Sequence, residues 1–187
     1  MTEATVFQAL ESRRPGEPAG PWLSRILAAL PSERPPSEKC VDTLAHVLVG
    51  GAGDVHPHLD EDPAAQVGFW RTLSTRFPGV PRLRGIYADT LLLTGSTDEA
   101  LREFLAAFTA DPLLIYRFSG DLSDLFERAG GVSWALYRAL VIVAAERDDP
   151  DGNRDYIAEQ QRLLVHDLRE QPALLQPVLG ILRPLRR

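Results

Sequence analysis

The sequence predicts an all-α protein, and three observations support that fold class. Apolar residues recur every three or four positions along most of the chain, which places them on one face of a helix. Many of the 15 prolines and 14 glycines fall between these apolar segments, where both residue types end helices. No stretch alternates apolar and polar residues long enough to indicate a strand. We therefore expect short helices joined by short turns.

The N-terminal part of the chain combines short helices with proline-rich breaks. Trp22, Ile26 and Leu30 show the helical spacing best, because they fall four residues apart. The glycines within 50–53 end the third apolar segment, since glycine adopts the positive φ that helix ends often need. Helices are predicted over 2–12, 22–30 and 38–49, with breaks at 14–21 and 31–37.

The remainder of the chain shows clearer helix ends. Ser96 and Glu99 form a capping box, in which the serine caps the helix and the glutamate follows three residues later. Gly95 is placed to end the preceding helix. Helices are predicted over 64–77, 83–94, 96–110, 113–119, 121–128, 133–147, 154–168 and 172–184.

Length and the positions of the breaks indicate the domain organisation. A chain of 187 residues fits one domain or two small ones. The predicted parts are N-terminal helices with proline-rich linkers over 1–53, helical hairpins over 64–150, and C-terminal capping helices over 151–187. We expect these parts to form one compact domain, because a chain of this length can bury about 70% of its unfolded surface.

Residues 81–114 contain small, aromatic and proline residues at spacings typical of a helical hairpin repeat. These residues are Ala88, Gly95, Ala100, Phe104, Ala107 and Pro112. The set resembles the tetratricopeptide repeat (TPR), although Arg84, Tyr87 and Leu91 occupy the bulky first-helix positions and the usual tryptophan is absent. The resemblance implies antiparallel helical hairpins stacked as a short TPR-like array. A compact helical bundle is the alternative architecture.

The resemblance also implies a binding groove. Stacked first helices of such repeats line a concave surface that holds a peptide or a helix of a partner. One well-known groove of this family clamps a carboxylate with lysine and asparagine, but the corresponding residues here are Gly85 and Asp89. With Arg82, Asp89, Leu92 and Leu93 as the predicted groove residues, we expect an apolar or basic partner segment rather than a carboxylate.

A second candidate site is the acidic loop over 54–62. His56, His58, Asp60 and Asp62 offer imidazole and carboxylate ligands suited to zinc, manganese or iron. The same prolines and acidic residues are also typical of a solvated surface loop. The alternative function is therefore a metal-binding accessory protein or a metal-dependent enzyme.

Composition argues against several other functions. The net charge of −6 disfavours nucleic-acid binding, which needs clustered positive charge. The longest apolar segment, 134–145, contains Arg138 and is shorter than the roughly 20 residues of a membrane span. The N-terminus lacks the basic and apolar regions of a secretory signal, and Cys40 is the single cysteine. We expect a cytoplasmic protein that binds neither nucleic acid nor membrane.

These observations favour a non-catalytic protein over an enzyme. The chain has one lysine, Lys39, among 20 basic residues, an arginine bias typical of GC-rich bacterial genomes. No nucleophile, acid and base occur in a recognisable catalytic arrangement, and no cofactor motif is complete. We expect an adaptor, chaperone or assembly factor that binds another protein and uses no cofactor. The protein could also form homo-oligomers.

Overall fold

A computed structural model describes residues 3–49, 62–118 and 122–185, and it confirms the all-α fold class. Within these residues there are ten α-helices, two 3-10 helices and no strand. The α-helices are α1 (Glu3–Glu11), α2 (Ala19–Ala29), α3 (Glu38–Leu48), α4 (Pro63–Arg76), α5 (Pro81–Leu93), α6 (Thr97–Ala110), α7 (Leu122–Ala129), α8 (Gly131–Asp148), α9 (Arg154–Glu170) and α10 (Leu175–Leu185). The 3-10 helices are Pro112–Arg117 and Pro172–Leu174. None of the described helices is long and apolar enough to cross a membrane.

Several predicted elements differ from the structure in their bounds or helix type. The helix predicted over 172–184 is the 3-10 helix Pro172–Leu174 followed by α10, and α5 and α8 each begin two residues earlier than predicted. Helix α2 begins at Ala19, three residues earlier than predicted, because Pro21 lies in its first turn, where a missing N–H breaks no helical hydrogen bond. The helix predicted over 113–119 is instead the 3-10 helix Pro112–Arg117. Its start is capped by Asp111, whose side chain accepts a hydrogen bond from the Leu113 N–H at 3.2 Å.

The turn between α5 and α6 has the predicted glycine geometry. Gly95 adopts a φ of 83°, a left-handed conformation that favours glycine. Its N–H donates to the Leu92 carbonyl at 3.0 Å, and the Ser96 N–H donates to the Leu91 carbonyl at 2.8 Å. These bonds satisfy carbonyls that the end of α5 would otherwise leave free. The turn therefore fixes where α5 stops and α6 begins.

The chain divides into two compact units, Met1–Ala100 and Leu101–Arg187, which we call the N-terminal unit and the C-terminal unit. In the N-terminal unit, α2 packs against α1 and α4, and α4 packs against α5. The indole N–H of Trp22 donates to the carbonyls of Ala9 and Leu10, both at 3.1 Å. Trp22 thereby fills the core and satisfies the last carbonyls of α1.

Helix α8 is the central element of the C-terminal unit. It packs against α7, α9, α10 and both 3-10 helices, and its middle is buried over 137–145. Tyr137 on α8 stacks on Phe126 of α7, with ring centroids 4.4 Å apart. Arg138 is the charged side chain among the buried residues of α8. This burial explains why α8 is apolar around most of its circumference.

Candidate functional site

The residues predicted to line a groove all lie on α5, and Arg82 is at its start. One nitrogen of the Arg82 guanidinium contacts the Asp42 carboxylate, and another lies 3.5 Å from the Glu38 carboxylate. Both acids belong to α3, and the Arg82 side chain is only 22% exposed. Arg82 therefore joins α5 to α3, so its donors are largely committed within the chain.

The C-terminal end of α5 is more accessible. Asp89 and Leu92 are half-buried, whereas Leu93 is 45% exposed. Residues 82, 89 and 93 fall on one face of the helix, because they are separated by seven and four positions. Leu91, one position from Leu92, is buried instead. The end of α5 thus presents an apolar side chain close to an acidic one.

The N-terminal unit also contains a hydrogen-bonded network that joins three helices. The Tyr87 hydroxyl of α5 donates to the Glu99 carboxylate of α6 at 2.7 Å and accepts from the Arg71 Nε of α4 at 2.8 Å. Arg71 also lies 3.2 Å from the same Glu99 oxygen. Burial raises the pKa of Tyr87, and its hydrogen bond to Glu99 raises the pKa further. The network joins α4, α5 and the first turn of α6, and the tyrosine stays protonated at neutral pH.

A cleft of about 690 Å³ opens elsewhere in the N-terminal unit. It lies between the end of α1 and the start of α2, beside the end of α3 and the residue that caps α4. Its polar lining residues are Arg13, Arg14, Glu17 and Asp62. A cleft of this volume falls within the roughly 300–1,000 Å³ typical of ligand sites.

The charged groups of the cleft differ in how far they are already engaged. Arg25 donates hydrogen bonds to the Glu17 carboxylate, and this interaction lowers the pKa of Glu17 to about 2. The Arg13 guanidinium lies over the Trp22 ring at 4.9 Å and donates to the Glu17 carbonyl at 3.0 Å. The Arg14 side chain donates no hydrogen bond to any described residue, but its charge attracts the Glu17 carboxylate and helps to lower the pKa of that group.

The predicted metal ligands His56, His58 and Asp60 lie outside the described residues. Asp62 is described, and its carboxylate caps α4 by accepting a hydrogen bond from the Ala65 N–H at 3.0 Å. Over 3–49, 62–118 and 122–185, no three histidine, cysteine or acidic side chains come together as a metal site would require. Metal binding by the loop stays a prediction.

Cys40 has the environment of a packing residue. It is completely buried on α3, and burial raises the pKa of its thiol to about 11. A thiol with this pKa holds almost no thiolate at neutral pH. Cys40 is therefore unsuited to nucleophilic chemistry, as its isolated position on an apolar helix face indicates.

Comparisons with known protein families, with curated proteins and with solved structures found no match to this chain. The structure also contains functional candidates that the sequence interpretation missed, namely the cleft and the network of Arg71, Tyr87 and Glu99. The adjacent Arg13 and Arg14 before a proline-glycine turn were the available sign of the cleft. The network had no such sign, because its members are 12 to 28 positions apart.

Proposed function

We propose that the chain is a non-catalytic interaction protein, an adaptor, chaperone or assembly factor, that binds a segment of another protein through α5. The observation that supports this most is the 45% exposure of Leu93 at the accessible end of that helix. Leu92 and Asp89 lie within one helical turn of it. Leu93 and the half-buried Leu92 together give this end of α5 an apolar surface that a partner side chain could cover.

We also propose that α5 and α6 form a TPR-like hairpin. Support comes from the burial of the small residues that such a hairpin uses for close helix approach. Ala88, Ala100 and Ala107 have no exposed surface, and neither does Phe104. The turn glycine at Gly95 and the start of a 3-10 helix at 112 agree with the same pattern.

The chemistry of the α5 surface indicates the class of partner. Leu92 and Leu93 would contact an apolar side chain, since burying apolar area is the main source of affinity. Asp89 has interactions of its own within the chain. Its negative charge nevertheless favours a basic partner residue over an acidic one. We therefore propose a partner segment with an apolar anchor and a basic residue, in the cytoplasm, where the buried Cys40 thiol stays reduced.

The test compares two leucines of similar exposure. Leu93→Glu places a charge on the proposed surface, and Leu175→Glu does the same at a leucine of α10 that is 42% exposed. Each tagged full-length variant is used to capture proteins from cells of the source organism, with quantitative mass spectrometry as the readout. A protein that wild type and Leu175→Glu capture, but Leu93→Glu does not, is then purified and its affinity measured.

We expect Leu93→Glu to weaken binding of the purified partner at least about tenfold, because a buried apolar anchor contributes more than about 1.4 kcal/mol. Leu175→Glu should leave the affinity unchanged. Equal capture by both variants, or no protein captured by the wild type, would overturn the proposed α5 site.

A further inference from the structure

The cleft of the N-terminal unit has a firmly held wall. Trp22 is 1% exposed, and its indole N–H is fixed by the carbonyls of Ala9 and Leu10. Arg13 is held in turn, because its guanidinium stacks over the Trp22 ring and donates to the Glu17 carbonyl. Such a wall loses little conformational entropy when a ligand binds, which favours affinity.

Both acids on the described lining of the cleft already accept hydrogen bonds within the chain. The Glu17 carboxylate accepts hydrogen bonds from Arg25 and from the backbone N–H of Arg14. The Asp62 carboxylate caps α4 through the Ala65 N–H. Arg25 therefore balances the charge of Glu17, whereas the neutral Ala65 N–H leaves the charge of Asp62 in place, so Arg13 and Arg14 together outnumber the one uncompensated acid of that lining.

Arg14 is the least engaged of these charged groups, because its side chain interacts with Glu17 only through Coulombic attraction. Its guanidinium donates no hydrogen bond to any residue in the described part of the chain, and Arg14 is an exposed residue on the lining of the cleft. A guanidinium offers five donors in a planar fork that matches a carboxylate. The unmatched donors of the cleft thus favour an anionic group.

The other described residues that line the cleft are apolar. Pro15 and Pro18 stand at the surface, and Val47 of α3 is half-buried on the lining. The volume of about 690 Å³ is far larger than a single inorganic anion needs. A ligand that fills the cleft would therefore combine a carboxylate with apolar groups.

We propose that this cleft binds an acidic segment of a partner protein, with a glutamate or aspartate side chain on Arg14 and an adjacent apolar side chain against Pro15, Pro18 and Val47. The site goes beyond the proposed function, because none of its residues belongs to α5. It also differs in chemistry, since the α5 surface favours a basic segment. The two sites can consequently fail or succeed independently.

The test uses fluorescein-labelled synthetic peptides and the full-length chain. One set of short peptides contains leucine next to two glutamates, and the matched set replaces both glutamates with glutamine. Fluorescence anisotropy gives the affinity of each set for wild type, Arg14→Gln and Arg102→Gln. Arg102 is an exposed arginine of α6 outside the cleft, so its substitution removes the same charge elsewhere. Circular dichroism checks that each variant folds.

We expect the wild type to prefer the glutamate peptides at least about tenfold, the size of a hydrogen-bonded charge interaction. Arg14→Gln should abolish that preference, and Arg102→Gln should retain it. No binding up to millimolar peptide, equal affinity for both sets, or an equal loss in Arg102→Gln would overturn the proposal. Complete displacement of the peptide by inorganic phosphate at equal concentration would also overturn it, since an apolar contact would then contribute nothing. A Leu93→Glu variant separates the sites, because it should leave this preference intact.

Discussion

The two units each bury a polar side chain among their helices, but they satisfy it differently. In the N-terminal unit, Gln66 of α4 has no exposed surface, and neither of its amide atoms has a hydrogen-bond partner among the described residues. In the C-terminal unit, Arg138 of α8 is 8% exposed and lies 3.1 Å from the Asp167 carboxylate of α9. It also lies over the Trp134 ring at 4.5 Å. The charged group has partners, whereas the neutral group has none among the described residues.

This difference follows from the cost of desolvation. Burying an unpaired neutral amide costs a few kcal/mol, whereas an unpaired buried charge costs far more. Arg138 nevertheless keeps an unsatisfied Nε, and its contact with Asp167 is an ion pair rather than an aligned hydrogen bond. We therefore expect opposite responses when the two sites are altered. Removing the partner of Arg138 should destabilise the fold, and removing the polarity of Gln66 should stabilise it.

The largest expected effect is that of Asp167→Ala. It leaves the buried Arg138 guanidinium without its counterion, so we expect the C-terminal unit to lose about 3 kcal/mol of unfolding free energy. Urea denaturation of protein labelled with 5-fluorotryptophan measures this loss. Trp134 reports the C-terminal unit, and Trp22 and Trp70 report the N-terminal unit in the same sample.

The double variant Arg138→Met/Asp167→Leu is the matched control for that prediction. It replaces both members of the ion pair with apolar side chains, so neither the buried guanidinium nor the buried carboxylate oxygen is left without a partner. We expect it to lose less than about 1 kcal/mol, because apolar replacements of whole buried ion pairs are often neutral or stabilising. If Asp167→Ala proves no more destabilising than the double variant, the ion pair does not compensate the buried charge.

Gln66→Met should change stability in the opposite direction. Methionine has a similar length and removes two buried atoms that lack partners, so we expect about 1 kcal/mol of added stability. The Trp22 and Trp70 resonances in the same urea titration measure it. A loss of stability would mean that the amide makes hydrogen bonds in solution, with water or with residues outside the described ranges.

Tyr87→Phe tests a polar group that is fully satisfied. The substitution removes both hydrogen bonds of the hydroxyl but leaves Arg71 within 3.2 Å of Glu99. We expect a loss of about 1 kcal/mol from the N-terminal unit. Tyr156→Phe is the control, because that tyrosine is 48% exposed on α9 and should change stability very little. Similar losses from both variants would contradict a role for the network.

Sequence patterns predicted the parts of this fold that depend on neighbours in the chain. The spacing of apolar residues located most helices, and Gly95 marked the end of α5 because its backbone conformation is a local property. Spacing along the chain does not show how helices cross. It therefore could not predict the pairing of Arg71 with Tyr87 and Glu99, or of Arg138 with Asp167.

The cleft could not be predicted for the same reason, because its lining comes from α1, α2, α3 and the start of α4. Arg82 looked available on its own helix, yet α3 supplies two acids for it.

The smallest expected effect concerns an ion pair that solvent reaches, between Glu17 and Arg25. Arg25 is 43% exposed, and its hydrogen bonds lower the pKa of Glu17 from 4.5 to about 2. Because the folded state holds Glu17 ionised, the pair adds stability above about pH 4.5 and loses that contribution as the pH falls towards 2.

Arg25→Gln should return the pKa of Glu17 towards its ordinary value, as measured by carbon NMR of the side-chain carboxyl during a pH titration. Lowering the pH from 4.5 to 2 should therefore destabilise the variant less than wild type. High salt should narrow this difference between the two proteins, because it screens an ion pair that solvent reaches. An unchanged pKa in Arg25→Gln would show that the backbone N–H of Arg14, and not the arginine pair, holds the carboxylate ionised.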